Sequence, residues 1–170
     1  MPPTGSDAYK AIRLEKDFSK QGSSNSSKLF RLLPQEEQEF FLARTLLSTE
    51  EIPVFGILQN QDTWILATTR KVTWSRPGFM AALFYSEIIN IGLSEMDKLN
   101  SLPEPQSEAE REERSEQVKA IKQYSTALYF EDERGVRHEA TVAPSNTLFS
   151  VWNSILFMVQ LERIHPSPQD

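Results

Sequence analysis

No cysteine occurs among the 170 residues, which excludes disulfides, a thiolate nucleophile and any cysteine-based zinc site. Only two histidines are present, so a His-rich metal cluster is excluded too. Six glycines leave little scope for a phosphate-cradling loop, and there is no P-loop, Gly-x-Gly-x-x-Gly or His-Glu-x-x-His. No apolar run approaches the ~20 residues of a spanning helix. Met1–Ser6 has no basic region followed by an apolar stretch, as a secretory signal would, and Pro2 stands where myristoylation needs glycine. Asn25-Ser26-Ser27 matches a glycosylation sequon, but its serine-rich surroundings account for it. The expectation is a soluble, cytoplasmic, acidic chain of one-domain length with no metal and no cofactor.

Charge is unevenly spread. Residues 1–33 carry six bases and three acids, net +3, and the remainder carries 12 bases and 21 acids, net −9. A body of that sign repels phosphate backbones and argues against nucleic-acid binding. From Glu104 to Glu116 six acids face two arginines, net −4, with almost no apolar residue. Such a segment has no face to bury, and residues 97–120 are expected to form a solvated acidic insert with a short charged helix.

The organisation follows from periodicity. Residues 1–27 read as a flexible leader, with Gln21–Ser27 of linker composition; within it Ala8–Lys20 carries Tyr9, Ile12, Leu14 and Phe18, raggedly spaced for a helix but able to form a short one on a partner. Pro34 starts a helix running to about Leu47, with Glu36, Glu37 and Glu39 at its positive end and Phe40, Ala43 and Leu47 on one face. Ile52–Gln59, Thr63–Thr69, Lys71–Arg76 and Leu83–Leu93 are rich in β-branched and aromatic residues and read as an antiparallel meander with one buried face. Pro77-Gly78 breaks it. Tyr124–Glu131 and Val136–Ala143 form a hairpin around Gly135. The last element is a helix introduced by Pro144 and Ser145, with Ser145 or Asn146 as cap. Leu148, Val151, Trp152, Ile155, Leu156 and Val159 share one face. Phe157, Leu161 and Ile164 form a second stripe, which the 34–47 helix or a second subunit must cover. Residues 28–165 are thus one domain and 166–170 a tail.

A helix, several antiparallel strands, an insert, a hairpin and a terminal amphipathic helix predict an α+β fold: a strongly bent, partly open antiparallel sheet capped by the C-terminal helix, with an extra N-terminal helix. Phe55-Gly56-Ile57-Leu58, the run Trp64–Trp74 with its Thr68-Thr69-Arg70, and Tyr85-Ser86-Glu87-Ile88 resemble the bacterial pleckstrin-homology-like and GRAM-like group over about residues 50–164. The resemblance implies a non-enzymatic binding module. Domains of this kind often take extended peptides between a late strand and the final helix. Here that surface would be the edge near Tyr124–Phe130, with Tyr124 and Tyr129, and the stripe Phe157, Leu161 and Ile164.

Two further readings remain. Glu108, Glu112 and Glu113 would give an immunity- or antitoxin-type inhibitor the field to meet a basic toxin. Phosphoinositide-binding members carry bases in the first hairpin loop, which here is Gln59-Asn60-Gln61-Asp62. Arg70, Lys71 and Arg76 are what remains for anionic lipid, the plain alternative being solvent-facing charges. No catalytic residue is assigned: His138 shares a face with Val136, Ala140 and Val142, as a structural histidine would. A protein or peptide partner is expected, and a homodimer is compatible with the sequence.

Overall fold

The computed structural model describes residues 1–20, 28–142 and 146–167. The linker composition at Gln21–Ser27 and the helix start at Pro144 and Ser145 lie outside them. The chain runs α1 (Asp7–Lys20), β1 (Lys28–Leu29), α2 (Gln35–Arg44), β2 (Pro53–Asn60), β3 (Thr63–Thr68), β4 (Lys71–Arg76), β5 (Phe79–Phe84), β6 (Ile88–Gly92), α3 (Ser94–Asn100), α4 (Glu108–Tyr124), β7 (Ala127–Asp132), β8 (Arg137–Thr141) and α5 (Asn146–Ile164). The fold is α+β. One sheet has the order β1-β2-β3-β4-β5 and the other β6-β7-β8, antiparallel throughout.

The first sheet is covered on both faces at β3, where the meander was expected to bury one. In β3, Ile65 and Ala67 enter the main core, while Trp64 and Leu66 enter a second cluster with Phe30, Leu33 and Phe41. All six residues of β3 are therefore buried. The cause is α2, whose Phe41 lies edge-on to Trp64 at 5.7 Å, with Phe40 beside both. The approach is close: a Cβ on Gly56 would stand 2.7 Å from the Phe41 ring. The helix expected to run to about Leu47 ends at Arg44, which leaves Leu46 exposed beyond it. At Pro77-Gly78 the chain turns in two residues, Gly78 adopting φ +74°, a conformation that favours glycine. The strand expected over Leu83–Leu93 is two strands, β5 and β6, separated by a tight helical turn at Tyr85–Glu87.

The two sheets meet where β4 crosses β8. Trp74 donates its indole N–H to the Glu139 carbonyl at 3.0 Å and packs on Phe130 at 5.1 Å. α5 closes the core with Leu148, Val151, Ile155, Met158 and Val159. Leu156, assigned to that face, is exposed, because Met158 and Leu161 take the inward positions.

The largest departure is at the N-terminus. Residues 7–20, expected within a flexible leader, form α1, and Ala11, Leu14 and Phe18 lie in the main core. The Phe18 ring stacks on Phe55 with centroids 4.5 Å apart. α1 runs against α5, so it is α1 that covers part of the second stripe, and not the 34–47 helix.

Candidate functional site

Three side-chain assemblies hold most of the chain's polar chemistry. The first is a buried ionic cluster where α1, the β3–β4 connection and the end of α5 meet. Asp7 accepts from Thr69 and, through one carboxylate oxygen, from the Arg70 guanidinium at 2.9 and 3.0 Å. Lys10, fully buried, donates to Glu162 at 2.5 Å and to Ser167 at 2.7 Å. Glu51 accepts from Thr68 at 2.5 Å and pairs with Lys71 at 3.3 Å. Thr68 also accepts from the Arg70 and Lys71 amides, so the Thr-x-Arg stretch serves this cluster. Tyr85 caps it, donating to the Thr68 carbonyl at 2.9 Å. Burial pushes the Tyr85 phenol well up, with Glu51 and Glu162 adding to the shift. Glu50, beside it, holds φ +71°, a strained conformation for a non-glycine residue.

Three acids and three bases thus neutralise one another out of water. A cleft of about 440 Å³ reaches Asp7 and Glu51 from outside, between Pro2–Ala8 and Glu50–Ile52. Both carboxylates are already committed, to Thr69 and Arg70 and to Ser48, Thr68 and Lys71. What the arrangement does is fix α1 to the body: a buried pair broken on one side leaves an uncompensated charge.

The second assembly ties the insert to the three-stranded sheet. Tyr129 donates to Asp97 at 2.6 Å, accepts from Asn90 at 3.2 Å, and lies under the Arg137 guanidinium at 4.1 Å. Burial, then the bond to Asp97, raises its phenol to about 12. Asp132, at the β7–β8 turn, accepts from His138 at 3.0 Å, from Arg134 at 2.9 Å and from the amides of Arg134 and Val136. The His138 bond leads the causes that hold its carboxyl far below the usual range. His138 is half-buried against Trp74 and is spent on this turn.

The third is α4. It has 17 residues and not one buried side chain. Its start is a capping box: Ser107 accepts from the Glu110 amide at 3.2 Å, and Glu110 reaches back to the Ser107 amide. Glu116–Lys119 supports its exposed side. Beside it lies a groove of about 340 Å³ bounded by Leu102, Pro105, Glu110, Glu113 and Gln117.

Set on this frame, the sequence-predicted residues separate. Glu108, Glu112 and Glu113 are exposed together on α4, and Tyr124, 68% exposed, ends the same helix. Ile164 is exposed at the end of α5, and Phe157 is half-buried beneath Arg13. Tyr129 and Leu161 are buried, Leu161 in the core, so neither offers a contact surface. The edge expected near Tyr124–Phe130 does not exist, because β7 is the middle strand between β6 and β8. Arg70 and Lys71 are buried in ion pairs, so they do not form a lipid-facing patch. Arg76 is half-buried near Glu139, over the Phe79 ring.

Among the described residues no three His, Asp or Glu side chains are placed to hold a metal ion, and no helix is long and apolar enough to cross a membrane. Neither a family model, nor a curated protein, nor a solved structure matches this chain. The cluster partners Asp7, Lys10 and Glu162 were missed in the sequence. The available signal was the spacing Asp7, Ala11, Leu14, Phe18, one stripe of a helix.

Proposed function

We propose that this chain is a non-enzymatic, pleckstrin-homology-like binding module, and that its partner is a protein docking on α4. The architectural half of the proposal is supported by the element order: a meander β2–β5, a second meander β6–β8, and a terminal helix closing the core between them. The functional half is carried by one observation. α4 is a 17-residue ordered helix that contributes no buried side chain. Ordering each residue costs roughly 1–2 kcal/mol of conformational entropy, and here only Ile121, half-buried against the main core, and the half-buried Val118 offset it. Outside the side that carries Val118 and Ile121 the helix is polar, and its acidic face is left free to meet a partner.

The kind of partner follows from charge. Glu108, Glu110, Glu112, Glu113 and Glu116 gather in the first half of α4 against Arg111 and Arg114. Complementary fields of this kind set on-rate and partner choice. The same acids favour the inhibitor reading, in which the partner is a basic toxin. The anionic-lipid reading retains only Arg76 of its three bases, and it is not favoured.

The test is quantitative affinity capture from the native host with the intact chain and with Glu108→Lys/Glu112→Lys/Glu113→Lys. The expected result is a basic protein recovered by the first and lost by the second at equal thermal stability. Equal recovery by both overturns α4 as the docking surface.

A further inference from the structure

β5 ends its sheet, and its outer edge pairs with no strand among the described residues. The two-residue turn from β4 makes Arg76 and Phe79 a hydrogen-bonded pair, so the backbone groups of Phe79, Ala81 and Leu83 face β4. Those of Met80, Ala82 and Phe84 face outward. The side chains of these three are exposed as well, Met80 by 56% and Phe84 by 45%. Edge strands are ordinarily protected by charge, proline, a bulge or a cover. Phe79–Phe84 contains no charge and no proline, and its register with β4 is unbroken.

We propose that this edge is an interface between two copies of the chain, paired antiparallel about a two-fold axis through Ala82. The register follows from geometry. A two-fold between antiparallel strands pairs residues of the same face, so the outward-facing Met80, Ala82 and Phe84 must pair among themselves. Centring on Ala82 is the choice that keeps all three paired within the strand, setting Ala82 against itself and Met80 against the partner's Phe84, twice. Centring on Phe84 instead would run each strand into the turn at Tyr85–Glu87. The chosen register places the smallest side chain on the axis and a thioether–aromatic contact on either side. The Phe84 amide is already satisfied by Glu87 at 2.9 Å, which leaves four backbone hydrogen bonds across the pair. The same axis carries the Arg76 end of the hairpin toward the partner's Tyr85–Glu87 turn, opposite charges approaching at both ends.

A six-residue strand spans only about 20 Å, less contact than the roughly 800 Å² per partner of a standard interface. The dimer is therefore weak and concentration-dependent. It is independent of the α4 proposal, because β5 and α4 share no residue.

Sedimentation equilibrium of the full chain from about 1 µM to about 1 mM spans the affinities open to so small a contact. The mass should rise from 19.5 kDa toward twice that value, and Ala82→Lys should hold it at 19.5 kDa with an unchanged thermal midpoint. Because the chain has no cysteine, Ala82→Cys supplies a register test. Cα atoms facing across such an axis lie about 5.5 Å apart, within disulfide reach. Oxidation should link Ala82→Cys into dimers at least about tenfold faster than Met80→Cys, whose counterpart lies four residues along the strand. A mass fixed at 19.5 kDa at the highest concentration, as when a peptide of another protein is the natural occupant, overturns the proposal. So does equal cross-linking at positions 80 and 82.

Discussion

Replacing Phe18 by alanine should destabilise the whole domain, although Phe18 lies in a segment whose sequence reads as a leader. The side chain is 1% exposed and stacks on Phe55 at 4.5 Å with the rings 12° from parallel. Truncating a buried phenylalanine costs about 3–5 kcal/mol, of which the aromatic pair supplies about 0.5–1.5 kcal/mol beyond its buried area. For a domain of this size each kcal/mol moves the thermal midpoint by about 2–4 °C, so a fall of about 6–20 °C is expected. Calorimetry gives the midpoint, and urea denaturation should show a lower midpoint at unchanged m. Ile12→Ala on the same helix is the control: Ile12 is exposed, and its loss should stay within about 0.5 kcal/mol. A Phe18→Ala midpoint within about 2 °C of the wild type would mean that α1 does not hold its place in the core, and would refute the reasoning.

Other consequences follow from the same contacts. Lys10→Met should cost about 3–5 kcal/mol by leaving Glu162 buried without its cation, and Lys10→Met/Glu162→Gln should recover part of that loss in urea denaturation. Gly56→Ala should lower the thermal midpoint, since the new Cβ meets the Phe41 ring at 2.7 Å; an unchanged midpoint would show that α2 does not press on β2. Asp132 has its folded pKa lowered, so its contribution is present above the ordinary carboxylate pKa near about 4 and is lost as pH falls below it. The stability gap between wild type and Asp132→Asn should therefore narrow between pH 5 and 2, roughly the range of that titration; a constant gap contradicts the pairing with His138 and Arg134. Anionic vesicles should sediment none of the chain at low salt, since Arg70 and Lys71 are spent on Asp7 and Glu51; binding that Arg76→Ala removes would restore the lipid reading.

What was legible in the sequence was local and strongly patterned. The alternation in Thr63–Thr68 and Lys71–Arg76, and the long apolar helix at Asn146–Ile164, correspond to β3, β4 and α5. β5 was not legible, because Phe79–Phe84 has no β-branched residue and only the two-residue turn before it marked a hairpin. The place of α1 in the core was hidden because two of its five buried side chains are polar: Asp7 and Lys10 are buried as ion-pair members, and their partners lie 63 and 152 residues away. No local pattern reports such distances. The same long-range pairing removed Arg70 and Lys71 from the surface that their sequence neighbourhood implied. α4 was longer than expected because the Ser107–Glu110 box, the Glu116–Lys119 pair and the half-buried Val118 and Ile121 stabilise a helix with no fully buried residue. Its acids were legible as a cluster, and their placement on one free helix was not.

Hydrogen exchange of the chain, alone and with the partner recovered by affinity capture, reads the docking surface directly. Amides of Glu108–Tyr124 belong to a helix with no buried residue and should exchange quickly in the free chain. Selective slowing across that helix when the partner is added is the result expected. Protection confined to other elements, with α4 exchanging as it does alone, would contradict a protein-binding module that works through α4.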